Sequence, residues 1–465
     1  MRQADLLVTR IDWAITVDAT RRVIRDAAVA VKGGDFVAVG KTEQVQAEWR
    51  AAQTVSGQGT VLTPGMVDNH LHSSFQLARG LADEANAQSF LFEHMYPYEA
   101  VMGEADVHTS VLLAAAEMLR HGVTCYIEPG NYHPDATVRA MMSAGMRMVL
   151  GVSCFDKGKS VTGIMPAAMI EDTARCIEKT EELFEKHSGK HGDRLTVSAS
   201  FRGMNNSSDE LILALKAIAQ RENAILQTHA CYSYFTHDAS VVQFAKPEIE
   251  RLESLGVLDE KMLLLHVGWL EPHEVAILAK RKPTVVCCPS SSIHNGYGNL
   301  KVGLHPELAA LGVNVTLGTD HASSGTVDLV QEMRYCACGY KELRLNPRVM
   351  PPEQAIEMAT INGARGAGLA DRIGSIEVGK AADFVLFDAT VPEWQPLYNP
   401  VSNLVYSATG NTVRHVYVGG EQVVRDGRAL RIDEGALLCE VARAGERITG
   451  RLGTRKLTTL AWPVE

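Results

Sequence analysis

The chain has 465 residues, 46% hydrophobic and 22% charged, with 45 basic against 55 acidic residues and a net charge of −10. That length exceeds what one compact core serves, so two or more structural units are expected. The acidic balance argues against nucleic-acid or anionic-membrane binding as the main task, and no apolar run reaches the ~18 residues of a membrane-spanning helix. The nine cysteines are odd in number and form no C-x-x-C pair. The N-terminus lacks the charged-then-apolar pattern of a secretory signal. Reduced thiols and a cytoplasmic setting are therefore expected.

Residues 4–59 alternate short apolar runs with turn signals, and "AVAVKGGDFVAVG" (28–40) reads as two strands joined at Gly33-Gly34. From about 60 to 370 the pattern changes. Apolar strand-length runs at 60–70, 122–130, 146–153, 194–201, 224–230, 261–268, 284–289 and 313–320 alternate with helical stretches such as 105–122 and 209–222. Eight such strands with intervening helices predict an α/β fold, a (β/α)8 barrel. After about 370 the strand pattern returns in 373–388 and 413–427, followed by helical periodicity over 434–455. The expected organisation is a β-sandwich assembled from 1–59 and 371–465, the latter with a C-terminal helix, around a barrel at 60–370.

The polar residues at the C-terminal ends of the barrel strands carry the chemistry, because barrel active sites form on that face. His70 and His72 are two apart, so an extended strand points both the same way. "THA" ends strand five with His229, "LLH" ends strand six with His266, and "GTD" ends strand eight with Asp320. A lone H-x-H is a weak signal, and either strand-end histidine alone would be an ordinary buried residue. Falling together at separate strand ends, they predict a metal site, and imidazoles with a carboxylate suit zinc, iron or cobalt. Such an ion makes a water nucleophilic near neutral pH and polarises the substrate.

"LTPGMVDNHLHSSFQLARGLAD" (62–83), "LGTDHASSGTVDLVQEMR" (317–334) and "MATINGARGAGLADRIGSIEVGKAADFVLFD" (358–388) resemble the opening, strand-eight and closing motifs of the amidohydrolase superfamily. The likeness covers nearly the whole chain. Its nearest branch is the chlorohydrolase/aminohydrolase group of triazine hydrolases, adenosylhomocysteine deaminases and guanine deaminases. The resemblance implies a distorted (β/α)8 barrel, a β-sandwich from both termini and hydrolysis by metal-activated water. It implies that His70, His72, His229 and Asp320 hold the metal, and that Asp320 takes the proton from the attacking water. His266 is a further ligand or a hydrogen-bond partner of water or substrate. Binuclear members carry a bridging lysine or glutamate on strand four. That strand here, "RLTVSASFRGMNN" (194–206), offers neither, so one divalent ion per chain is expected.

One departure bears on substrate. Deaminases of this branch carry H-x-x-E at the end of strand five, where the glutamate protonates the ring nitrogen. This chain reads His229-Ala230-Cys231-Tyr232. An unperturbed tyrosine keeps its proton at pH 7, so Tyr232 can donate a hydrogen bond but is a poor base. On that ground the expected reaction is cleavage of a carbonyl-centred C–S or C–N bond in a thiocarbamate, urea or carbamate. This departure resembles the phenylurea hydrolases and thiocarbamate (molinate) hydrolases of xenobiotic degradation. The alternative is an aminohydrolase or chlorohydrolase acting on a triazine, purine or pyrimidine ring, with another carboxylate such as Glu128 standing in for the missing one. A scaffold without activity is a third reading, opposed by the retained histidines and Asp320.

Softer candidates follow the barrel strands. Phe75, Phe90, Phe92, Trp269 and Tyr297 either line an apolar substrate pocket or pack as core and lid. His294 contacts substrate or lies on a surface loop. His321 orients substrate or assists the leaving group, and Arg202 binds an anionic or carbonyl group or makes a structural ion pair. Cys231 has no expected role as nucleophile. The expected partner is a small-molecule substrate, and the chain is expected to form a homo-oligomer.

Overall fold

The computed structural model describes residues 1–453. The alternating segments at both ends of the chain meet in one nine-stranded sheet. Its order runs Arg428–Ala429, Glu421–Arg425, Val413–Val418, Phe384–Asp388, Thr60–Pro64, Arg2–Ile15, Val23–Lys32 and Asp35–Lys41, with Trp49–Ser56 paired alongside Arg2–Ile15. The hairpin predicted at Gly33-Gly34 is present as antiparallel pairing of Val23–Lys32 with Asp35–Lys41. Where a sandwich of two sheets was expected, these strands are continuous in hydrogen bonding. Leu6, Val8, Val29, Phe36, Leu62, Phe384 and Tyr417 form its buried face. The predicted C-terminal helix is Glu434–Leu452, capped by the Asp433 side chain; residues of that terminal segment beyond 453 lie outside the described ones.

The run 60–70, read as one strand, is two. Thr60–Pro64 pairs with Phe384–Asp388 in the terminal sheet, and Met66–Asp68 starts a parallel sheet with Val123–Asn131. The break falls at Gly65, where a Cβ would lie 2.2 Å from the Thr124 hydroxyl. Only glycine lets the chain pass Thr124 that closely and change sheets.

The α/β part contains two parallel sheets. One has the order Leu195–Val197, Arg147–Val152, Val123–Asn131, Met66–Asp68; the other runs Ala199–Gly203, Leu226–Ala230, Met262–His266, Thr284–Cys287, Asn314–Leu317. The predicted strand at 194–201 is split between them at Ser198, and the opposite seam carries an isolated parallel bridge, Leu71 to Asp320. The eight predicted strands are thus present, but as two sheets instead of one hydrogen-bonded ring. Helices such as Glu104–Arg120 and Asp209–Arg221 intervene as expected. Because helices cover such sheets, the strands are buried on both faces and read as continuous apolar runs.

Candidate active site

The site is assembled where strand ends are tied together. Asp68 ends its strand and accepts from the backbone N–H of His70 (3.2 Å) and Thr319 (3.1 Å), and from the Thr319 hydroxyl (2.6 Å). Burial pushes its carboxyl up to about 6 against those hydrogen bonds. Two backbone hydrogen bonds of 2.7 Å, His72 N–H to Asp320 C=O and Asp320 N–H to His70 C=O, join the H-x-H segment to Asp320. Gly318 permits that approach, since a Cβ there would sit 2.8 Å from the Cβ of His70. The backbone is left-handed at Cys231 (φ 53°), His266 (φ 75°) and Asp320 (φ 67°). Non-glycine residues held this way cost ~1–3 kcal/mol each, and such strain concentrates at working sites.

Ligand atoms of His70, His72, His229 and Asp320 all lie within 4.8 Å of one another. His70 Nε2 is 3.1 Å from Asp320 Oδ1, and the Nε2 atoms of His72 and His229 are 3.1 Å apart. His229 donates from Nδ1 to the carbonyl of Arg202 (2.6 Å), which leaves its Nε2 lone pair facing the cluster. Burial holds His72 and His229 well below the usual histidine range, so both rings are neutral. The Nδ1 atoms of His70, His72 and His266 are buried without a hydrogen-bond partner among the described residues. Imidazoles crowded around one carboxylate, with the His72 and His229 rings neutral, fit a divalent cation with N and O ligands.

Asp320 is ionised. Burial opposes its charge, but His321 and the hydrogen bond from His70 outweigh it and hold the carboxyl well below the usual range. The Ser291 hydroxyl donates to its Oδ2 (2.5 Å), and His321 Nε2 lies 3.4 Å from the same oxygen. His321 also meets Ser323 through Nδ1 (2.7 Å) and stacks on Phe90, ring centres 4.7 Å apart. His266 stands beside the four-residue cluster. Its Nε2 is 3.9 Å from Asp320 Oδ2, and burial, opposed by Asp320, lowers it to about 3. The His305 ring hydrogen-bonds the His266 carbonyl (2.6 Å) and holds that strained residue in place.

This cluster forms part of the wall of a cavity that is partly open to solvent. Phe75, Phe90, Phe92, Tyr96, Tyr232 and Tyr297 line much of the rest. Phe75 stacks on His72 with ring centres 5.0 Å apart, and Tyr232 lies 5.8 Å from the His266 ring. Arg202 also lines the cavity, but its charge is met by Glu99 in a buried ion pair, and it rests on the rings of Phe75 (5.4 Å) and Tyr96 (5.8 Å).

Four of the candidates are not among the residues lining the cavity. His294 pairs with Asp83 (3.2 Å) and is partly exposed, and Trp269 donates from its indole to the Tyr297 carbonyl (2.9 Å). The Cys231 thiol is buried, with burial and then Glu248 pushing its pKa well up, which removes any nucleophilic character at neutral pH. Glu128, the expected stand-in carboxylate, accepts from the backbone and hydroxyl of Ser73 and from Gly130 N–H, away from the lining residues. Sequence reading missed Ser291, Glu99 and Glu248. Ser291 was signalled by its place after strand seven. Glu248 lies in the charged helix Glu248–Ser254, and Glu99 in a short aromatic helix, Tyr96–Ala100, with no strand-end position to mark it.

The amidohydrolase family model matches residues 61–423. A 5-methylthioadenosine/S-adenosylhomocysteine deaminase of Syntrophobacter fumaroxidans is 32% identical, over 93% of this chain and 95% of its own. A 5'-deoxyadenosine deaminase of Methanosarcina acetivorans is 28% identical, over 96% of this chain and 99% of its own. Among solved structures, an adenosine deaminase from Xanthomonas campestris with bound zinc superposes with a TM-score of 0.90 at 28% identity, covering 97% of this chain and 99% of that one. These findings overturn the expectation of carbonyl-centred cleavage of thiocarbamates, ureas or carbamates, and with it the xenobiotic phenylurea- or molinate-like role. The physical premise fails too. The glutamate missing at Tyr232 does not leave Asp320 as the one carboxyl among the described lining residues, because Glu248, from a helix later in the chain, lines the cavity. With a family match spanning most of its length, the chain belongs to the amidohydrolase family.

Proposed function

We propose that this metal-dependent hydrolase is an aminohydrolase that replaces the exocyclic amine of a purine ring, in an adenosine-type nucleoside, by oxygen and releases ammonia. The observation that carries the reading is the buried His70, His72, His229 and Asp320 cluster on the wall of an aromatic cavity. Relatives named as deaminases of adenosine derivatives, aligned over nearly the whole chain, support it.

On this reading His70, His72, His229 and Asp320 hold one divalent ion, with zinc, cobalt and iron the candidates. When bound, the ion makes water nucleophilic near neutral pH and polarises the reacting carbon. The chain's residues do the rest. Asp320 is ionised and accepts a proton from the attacking water. His266, kept neutral by burial, hydrogen-bonds the incoming oxygen, and His321, beside Asp320, orients the leaving amine. Phe75 and Phe90, packed on His72 and His321, present flat apolar faces to a ring. Tyr232, its proton held firmly by burial, donates a hydrogen bond only.

The test is ammonia release by the zinc-loaded protein from adenosine, 5'-deoxyadenosine, 5'-methylthioadenosine and S-adenosylhomocysteine. Turnover of at least one supports the reading. Failure with all four overturns it.

A further inference from the structure

Among the described residues, two carboxylates line the cavity: Asp320 and Glu248. Glu248 begins the short helix Glu248–Ser254 and is 1% exposed. Its Oε2 accepts the backbone N–H of Cys231, the residue before Tyr232. The left-handed turn at Cys231 brings that N–H to the carboxylate. Glu248 and Tyr232 therefore share one wall of the cavity, with His266 and Tyr297 beside them. The structure holds a carboxyl group against the backbone of the residue before the departure from H-x-x-E, supplied by a later helix instead of the strand end.

We propose that Glu248 is the catalytic residue that donates a proton to the ring nitrogen and takes one back during displacement of the amine, and that Tyr232 only orients the ring. This rests on the aminohydrolase reading above. The protonation state suits the role. Burial pushes the Glu248 carboxyl up to about 7, helped by the nearby Glu274 and opposed by Cys231 and His237. Both forms are accessible near neutrality, as a group that gives and recovers a proton requires. Glu99 and Glu128, also buried, are committed to Arg202 and Ser73 and do not line the cavity.

The proton ledger closes without a further reactant. As the water oxygen bonds to the amine-bearing carbon, one water proton passes to Asp320. The acid proton of Glu248 passes to the adjacent ring nitrogen, and the ring C=N double bond becomes single. The carbon–amine bond then breaks. The amine leaves as ammonia with the proton from Asp320, the remaining hydroxyl proton passes to the Glu248 carboxylate, and the carbonyl forms. Amine plus water gives carbonyl plus ammonia, and nothing is oxidised.

The experiment uses zinc-loaded full-length protein and whichever of the four adenosine-type compounds the wild type deaminates fastest. Glutamine at 248 can still accept the Cys231 N–H, so a purely structural role predicts little change. The proposal predicts that Glu248→Gln lowers kcat by about 100-fold or more with KM little altered and metal content unchanged. It also predicts that adding Tyr232→Glu, which restores a carboxyl at the strand end, recovers at least about 10-fold. A Glu248→Gln variant within about threefold of wild-type kcat overturns the proposal while leaving the aminohydrolase reading intact. A loss accompanied by loss of metal or of circular dichroism marks a structural residue and overturns it as well. No ammonia from the wild type overturns both.

Discussion

Replacing Glu248 by glutamine should stabilise the protein above neutral pH while it removes turnover. The Glu248 carboxyl is raised from 4.5 to about 7, mainly by burial. A carboxyl whose folded value exceeds its unfolded value binds its proton more tightly in the fold. Stability is then lost as pH rises from about 4.5 through about 7, and the whole cost is present above that window. The difference of about 2.5 units, at ~1.36 kcal/mol each, makes that cost about 3 kcal/mol. Glutamine has no proton to lose. For a chain of 465 residues, an unfolding entropy of roughly 2 cal/mol/K per residue converts 3 kcal/mol into about 3 °C. The assay is thermal unfolding of metal-free wild type and variant at pH 5 and pH 8. The variant's Tm relative to wild type should rise by about 3 °C between the two pH values. Parallel pH dependence would refute the placement of a buried, proton-binding carboxyl at Glu248.

Three other outcomes follow from the geometry. Asp320→Asn should lower kcat by about 100-fold or more at unchanged circular dichroism, because an amide cannot take the water proton; substantial residual turnover would assign that step to another group. Chelation should abolish turnover and about one equivalent of zinc per chain should restore it, whereas two tightly held ions in elemental analysis would contradict a single four-ligand site. Asp106 anchors the C-terminal helix through Arg447 (3.0 Å) and Arg451 (2.5 Å), and accepts from Gly103 N–H (3.0 Å). Burial opposes its charge but those partners hold its carboxyl below the usual range, so its contribution is present above about pH 4 and lost as pH falls through the folded value. Asp106→Asn should cost about 1 kcal/mol at pH 7, speed hydrogen exchange in Glu434–Leu452, and converge with wild type in acid; equal exchange at pH 7 would contradict the anchor.

The parts of the site that obey a short period were legible. His70 and His72, two apart on an extended segment, had to face one way, and His229, His266 and Asp320 each closed an apolar run. The strand alternation at 28–40 and 413–427 likewise announced a sheet built from both termini. What sequence could not show was contact between distant segments. "KPEIERLESLG" (246–256) carries four charged residues within the short helix Glu248–Ser254 and reads as a solvent-facing surface. Yet a backbone turn at Cys231 draws Glu248 into the cavity. Without that contact, Tyr232 favours carbonyl cleavage and leaves ring chemistry as the alternative. The split of 60–70 at Gly65 was hidden for the same reason, because its cause, Thr124, lies on another strand. His294 follows strand seven as expected but turns to Asp83, a partner on a loop with no periodic signature.

The most direct test of the account is ammonia release from adenosine-type nucleosides by the zinc-loaded chain, measured beside a panel of ureas and thiocarbamates. The account predicts ammonia and the corresponding hydroxylated purine from at least one nucleoside, with activity lost in Asp320→Asn. Turnover confined to the ureas or thiocarbamates, with no ammonia from any purine, would contradict it.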